Sequence, residues 1–160
     1  MAMLTIAGKQ YEAKTNFKFE KLAEKKYKNQ SNENEMSGLE TIYQDLLSKK
    51  IKGVLKFWDC ATAHYGTDQP KIEEIEKAIE TFIEENPEED IKLYEDAFQA
   101  IDNSGFFRQQ LNEFWSNLNM IEKMVDDEKE LKQAIAAKEM FLAKRIELNP
   151  SKAEKGKSKK

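Results

Sequence analysis

Apolar side chains recur along this chain with two different periods. Near the start, Leu4, Ile6, Tyr11 and Ala13 alternate with polar residues around Ala7-Gly8-Lys9-Gln10, the pattern of two short strands joined by a glycine-containing turn. Two strands alone are marginal in water, so this hairpin must pack on helices. From residue 17 onward the spacing turns helical. Phe19, Leu22, Ala23 and Tyr27 follow Thr15-Asn16, either of which can cap, and the polar run from Lys28 to Glu35 ends the first helix. Ser37-Gly38-Leu39-Glu40 has the spacing of a capping box, in which a hydroxyl and a carboxylate satisfy amides at a helix start. Leu39, Ile42, Tyr43, Leu46 and Leu47 form the stripe of that helix, and Ile51, Val54, Leu55, Trp58 and Thr62 resume after a break at 48–50.

Residues 64–69 read as a loop, and Pro70 suits a first helical position, where its missing amide proton costs nothing. Ile72, Ile75, Ile79, Phe82 and Ile83 then share a face, until Asn86-Pro87-Glu88-Glu89 stops one helix and starts another through Ile91, Tyr94, Ala97, Phe98 and Ile101. Asn103-Ser104-Gly105 breaks it. A further helix is expected to begin at Phe106 and to carry Phe107, Leu111, Phe114, Trp115, Leu118, Ile121 and Met124. The last, from 128 to 148, has weaker periodicity through Leu131, Ile135, Leu142 and Ile146 and stops at Asn149-Pro150. The expected architecture is mainly α: a compact multi-helix domain with a small N-terminal β-hairpin over 1–125, a C-terminal helix over 126–148, and a flexible basic tail over 149–160.

Composition sharpens this picture. The 160 residues fit about one domain, and 39% hydrophobic residues with 6 Gly and 3 Pro are too apolar for a disordered chain and too poor in turn residues for a β-sandwich. A single Cys excludes an internal disulfide or a Cys-based zinc site, a single His excludes multi-His metal centres, and no apolar run reaches membrane-spanning length. The net charge of −4 is uneven: Lys152, Lys155, Lys157, Lys159 and Lys160 outweigh Glu154, so the tail carries about +4 and the body about −8. Such a body repels phosphate backbones, leaving only the tail able to touch nucleic acid.

Candidate chemistry is sparse. Cys60 and His64 stand four apart and could pair a thiol with a base, but no glycine-rich oxyanion loop or third group accompanies them. Glu73, Glu76, Glu80 and Glu84 lack the Glu-x-x-His partner of a di-metal bundle, and their interleaving with Ile and Phe marks a solvated helix face. No phosphate-binding glycine loop is present. Trp58, Trp115, Phe106 and Phe107 serve a core or, where the fold leaves them exposed, a docking patch. No catalytic residue, cofactor or metal is expected.

Three stretches carry a resemblance. Ile6-Ala7-Gly8-Lys9-Gln10-Tyr11-Glu12-Ala13-Lys14, followed by Phe17-Lys18-Phe19 and Lys25-Lys26-Tyr27, resembles the opening of the tail assembly chaperone family of long-tailed phages and prophages of Gram-positive bacteria. Ala61-Thr62-Ala63-His64 leading to Pro70 and Ile72-Glu73-Glu74-Ile75-Glu76 resembles the family's middle, and Asn103-Ser104-Gly105-Phe106-Phe107 its later helix junction. The resemblance covers about Met3 to Leu118.

It implies an accessory protein, not an enzyme, that works on the tape measure protein and the major tail tube protein in the host cytoplasm and is absent from the finished virion. It also implies a short form accompanied by a frameshift-extended one, with self-association as a further expectation. Gly156-Lys157 and Lys159-Lys160 can each be encoded by slippery codons, and so can Lys25-Lys26 and Lys49-Lys50, so the amino-acid sequence singles out no slippage site. Partner-binding residues are expected among Phe106, Phe107, Trp115, Leu131, Ile135 and Leu142. The rival readings are a structural tail component and a nucleic-acid-binding phage accessory protein that uses the lysine tail.

Overall fold

The computed structural model describes residues 2–29 and 36–153. Strands β1 (Met3–Ile6) and β2 (Lys9–Glu12) pair antiparallel with Leu4 opposite Tyr11 and Ile6 opposite Lys9. The turn is tighter than the sequence pattern indicates, because Lys9 and Gln10 pair within the ladder and only Ala7 and Gly8 turn. Both have positive φ, 52° and 79°, as a type I′ turn matched to strand twist requires. Glycine takes that conformation freely, whereas alanine is strained there. Ala7→Asn should therefore stabilise the chain by about 0.5–1 kcal/mol, read as a higher urea midpoint at unchanged slope.

Seven α-helices follow among the described residues. Helix α1 (Phe17–Tyr27) is capped by Asn16, whose side chain accepts from the Phe19 amide at 3.2 Å. Ser37 caps α2 (Gly38–Leu47) by accepting from the Glu40 amide at 3.1 Å. The Gly38 amide donates instead to the carboxylate of Glu24 on α1 at 2.6 Å, which ties the two helices together. Lys49, at φ 54°, closes α2 with its amide on the Leu46 carbonyl and the Lys50 amide on the Asp45 carbonyl, a Schellman end leading into α3 (Ile51–Ala61).

Within the stretch 64–69 expected as a loop, the chain coils into 3₁₀ turns over Ala63–Asp68, bent at Gly66. Helix α4 (Ile72–Glu85) starts two residues beyond Pro70, because the Glu74 carboxylate accepts from the Lys71 amide and makes Lys71 the boundary. Next come α5 (Ile91–Asp102), α6 (Arg108–Met124) and α7 (Glu128–Leu148). Helix α6 begins after Phe106 and Phe107, which form the α5–α6 junction. The expected division at residue 125 falls in the α6–α7 link. Order continues past the expected tail boundary: Asn149 is buried, and 151–153 make a further helical turn. Lys152 lies in that turn, whereas Lys155, Lys157, Lys159 and Lys160 lie outside the described residues.

Helices α1, α2 and α3 pack on one another, α3 on α4, α5 on α2 and α3, and α7 across α2, α5 and α6. The hairpin meets its need for cover by laying β1 on α4. Ile6, Phe19, Leu39, Tyr43, Phe57, Trp58 and Phe98 lie in one core. Each such side chain contributes about 1.5–3 kcal/mol through removal from water.

Candidate functional site

Adjacent aromatics at the α5–α6 junction have opposite fates. Phe107 is fully buried against Phe19, with ring centroids 5.4 Å apart, and belongs to the core. Phe106 is 44% exposed and meets the 67% exposed Phe17 edge-on at 4.9 Å. The two form a small aromatic patch, and Lys14, Lys18 and Arg108, within three residues of it in sequence, are exposed as well.

Trp115 is also buried. Its indole donates to the Tyr43 hydroxyl at 2.9 Å, and the Arg145 guanidinium lies 4.8 Å from its ring centroid. The Tyr43 hydroxyl donates in turn to Asp102 at 2.8 Å. Arg145 grips both Asp102 oxygens at 3.0 and 3.1 Å, and the Asn149 amide donates to the same carboxylate at 2.9 Å. A buried charge survives only when paired and hydrogen-bonded, and Asp102 is both. The network joins α2, α5, α6 and α7. Nothing local in the sequence announces it, because Asp102 and Arg145 are 43 residues apart.

The remaining expected residues spread along α7. Leu142 packs partly against the core, while Leu131 and Ile135 are half-buried further towards the helix start. Ile121, Met124 and Ile146, which the spacing placed on the apolar stripes of these helices, stand exposed instead. Of the nine exposed large apolar side chains among the described residues, five sit on α6 and α7: Met120, Ile121, Met124, Met140 and Ile146. Ion pairing of Lys138 with Glu122 at 3.0 Å sets the two helices side by side. A pattern of exposed methionines is legible only once core-facing positions are known.

The Cys60–His64 pair resolves into two structural side chains. Burial pushes the Cys60 thiol well above its ordinary pKa, with the neighbouring Asp59 carboxylate adding to the effect, so the nucleophilic thiolate is suppressed. Burial, followed by Lys14, lowers the pKa of His64, with a hydrogen bond to the Ala61 backbone opposing the shift. Asp59 is itself buried and accepts from Lys26 and from the Tyr27 hydroxyl, both at 2.6 Å. Among the described residues no cluster of three His, Cys, Asp or Glu side chains could hold a metal ion. No helix among them is long and apolar enough to cross a membrane. A groove of about 580 Å³ separates the hairpin from α4, lined by Met3, Leu4, Ala78 and Phe82 and by Glu74, Lys77 and Glu85.

Glu20 is the one carboxylate with a buried oxygen lacking a partner among the described residues. Burial, and secondarily Glu24, raises its pKa. A carboxyl whose folded pKa is raised stabilises the fold only where it is protonated, and that contribution is lost as pH rises through the folded value. Glu20→Gln is therefore expected to raise the unfolding midpoint at pH 7, with the gain vanishing towards about pH 4, where the native carboxyl already carries its proton. Thermal melts of both chains across this range check it.

No curated protein and no solved structure matches the chain. A family model described as "Phage tail assembly chaperone protein, TAC" matches residues 3–116, from β1 to one residue past Trp115 in α6. That stretch spans the hairpin, α1 to α5 and the first half of α6, and the chain belongs to the phage tail assembly chaperone family.

Proposed function

We propose that this chaperone binds the tape measure protein, keeps it soluble before the tube encloses it, and helps recruit the major tail tube protein. The observation that carries the reading is the apolar surface of α6 and α7, where Met120, Ile121, Met124 and Met140 stand in solvent. Methionine is unbranched and polarizable, so a methionine surface repacks around many apolar partners. A long helical client with exposed apolar stripes is the partner such a surface fits by helix-on-helix contact. The acidic body, with Glu73, Glu76, Glu80 and Glu84 exposed along α4, keeps the complex soluble and spaces bound copies by repulsion.

Further parts of the reading rest on family membership. The chain is the short member of a frameshift pair, acts in the host cytoplasm, and leaves before the virion is complete. A chaperone of this kind works by masking and release, with no bond made or broken.

Co-expression with the tape measure protein tests the proposal. The native chain is expected to bring the tape measure into the soluble fraction and to co-purify with it. Met120→Asp, Met124→Asp and Met140→Asp together should abolish co-purification while leaving the far-UV spectrum and melting temperature nearly unchanged, since all three side chains are exposed. Equal co-purification by the triple variant would remove this surface from the reading. Lack of any interaction by the native chain, even with the extended form supplied, would overturn the partner assignment.

A further inference from the structure

Charge is unevenly laid out over the body. The exposed face of α1 carries Lys18, Lys21 and Lys25, with exposed Lys14 just ahead of the helix. Both glutamates of α1 turn inward: Glu20 has a buried carboxylate oxygen, and Glu24 accepts from the Gly38 amide. Helix α4 is the reverse, with Glu73, Glu76, Glu80 and Glu84 exposed along one face. None of these lysines and glutamates forms an ion pair among the described residues. Both helices pack on α3, and both charged faces are left in solvent.

The two stripes match in spacing. Lys14, Lys18, Lys21 and Lys25 are separated by four, three and four residues, and Glu84, Glu80, Glu76 and Glu73, taken in the opposite chain direction, by four, four and three. Antiparallel helices therefore set Lys14 against Glu84, Lys18 against Glu80, Lys21 against Glu76 and Lys25 against Glu73 to within about one residue, or ~1.5 Å of rise. The same direction puts Phe17, 67% exposed on the flank of the lysine stripe, on the side of the half-buried Ile83. It also opposes the two helix dipoles.

We propose that the lysine face of α1 in one copy docks on the glutamate face of α4 in a second copy, so that this chain associates head-to-tail. The lysine face calls for an anionic occupant, and the chain itself displays one in the required spacing. Exposed ion pairs are individually weak and screened by salt, so the contact depends on several in register and is reversible. Because its two surfaces differ, the contact is heterologous: a row of copies keeps a free α1 at one end and a free α4 at the other, and growth stops only if a ring closes. Like faces still repel, so copies are held apart in every orientation but this one. The inference goes beyond the tape measure reading and needs no client.

Sedimentation velocity of the purified full chain, with no tail protein present, tests the proposal. At about 20 mM salt the native chain is expected to sediment as species of about three copies or more that grow with protein concentration, and at about 500 mM salt as monomer. Lys14→Glu, Lys18→Glu and Lys21→Glu together should leave only monomer at low salt, and so should Glu76→Lys, Glu80→Lys and Glu84→Lys. These positions are exposed, and each new charge lies at the helix end whose dipole suits it, so the melting temperature should stay near native. A chain carrying all six reversals has the native net charge and should associate again. Lys52→Glu, Lys129→Glu and Lys132→Glu, exposed on α3 and α7, change the net charge as the lysine-stripe variant does and should leave association intact. A native chain that is monomeric at low salt, association that survives high salt, equal loss in the α3–α7 control, or no recovery in the sixfold variant would overturn the proposal. So would a single-stranded oligonucleotide that binds the native chain and not the lysine-stripe variant, which would assign this face to nucleic acid. Because no client is present, failure here leaves the tape measure reading standing.

Discussion

A Gly38→Ala chain is expected to lose more than about 3 kcal/mol of stability, beyond the usual cost of overpacking a core. A Cβ at this position would stand 2.0 Å from the Ala23 carbonyl oxygen, 2.2 Å from its carbon and 2.7 Å from the Glu24 nitrogen. These are backbone atoms, so no side-chain rotation relieves the clash. Nor can α1 back away cheaply. Phe19 and Ala23 are fully buried on its inner face, Glu24 accepts from the Gly38 amide, and Lys26 is paired with the buried Asp59. Gly105→Ala is the control, since nothing lies within 4 Å of a Cβ built there, and it should stay within about 0.5 kcal/mol of the native chain. Urea unfolding of the two variants decides the matter. Near-native stability for Gly38→Ala would mean that the α1–α2 crossing is not held where the structure has it.

The second large effect separates two neighbouring residues. Phe107→Ala is expected to cost about 3–5 kcal/mol, as for other buried phenylalanines, because it empties a site lined by Phe19 and reached by no water. Phe106→Ala should cost well under 1 kcal/mol, since the ring is 44% exposed and its main loss is one edge-on contact with the exposed Phe17. If the Phe17–Phe106 patch contacts a tail protein, the effects on binding run the opposite way: Phe106→Ala weakens co-purification of a folded chain. Denaturation midpoints and pull-downs on both variants give the four numbers needed. Equal destabilisation by the two substitutions would contradict the burial assigned to them.

How much of this was legible in the sequence depends on the range of the interaction. Asn16 and Ser37 cap helices as their spacing announces, because a cap is settled within four residues. The apolar stripes of α2, α4 and α5 likewise point to the faces that are buried, since a helix converts spacing directly into direction, whereas Ile51 of α3 and Ile121 and Met124 of α6, which the spacing placed on those stripes, stand exposed because no helix covers them. Pro70 misled by two residues because a glutamate further along, Glu74, fixed the helix start at Lys71. The 3₁₀ turns at 63–68 left no trace, lacking a periodic pattern of their own. Long-range features were invisible in principle. Gly38 reads as a helix residue with poor propensity, and only the approach of Ala23 explains it. Phe106 and Phe107 are indistinguishable by type and nearly so by position; the geometry of the α5–α6 junction decides between them. Asp102 reads as the last polar residue of a helix, yet it holds Tyr43 of α2, Arg145 of α7 and Asn149 at the α7 cap.

The hairpin on α4 has a consequence for how the chain reaches its fold. The most extensively packed helix pairs here are neighbours in sequence, α1 with α2 and α2 with α3, and contacts of that kind form quickly. The ribosome makes the hairpin before these helices, yet the helix that covers β1 begins more than sixty residues after that strand, at Ile72. Until α4 emerges, Leu4 and Ile6 have no lid and the two strands are marginal. The three-helix core of α1 to α3 is then expected to assemble during synthesis, with closure of the hairpin onto α4 as the slower, later step that completes the body.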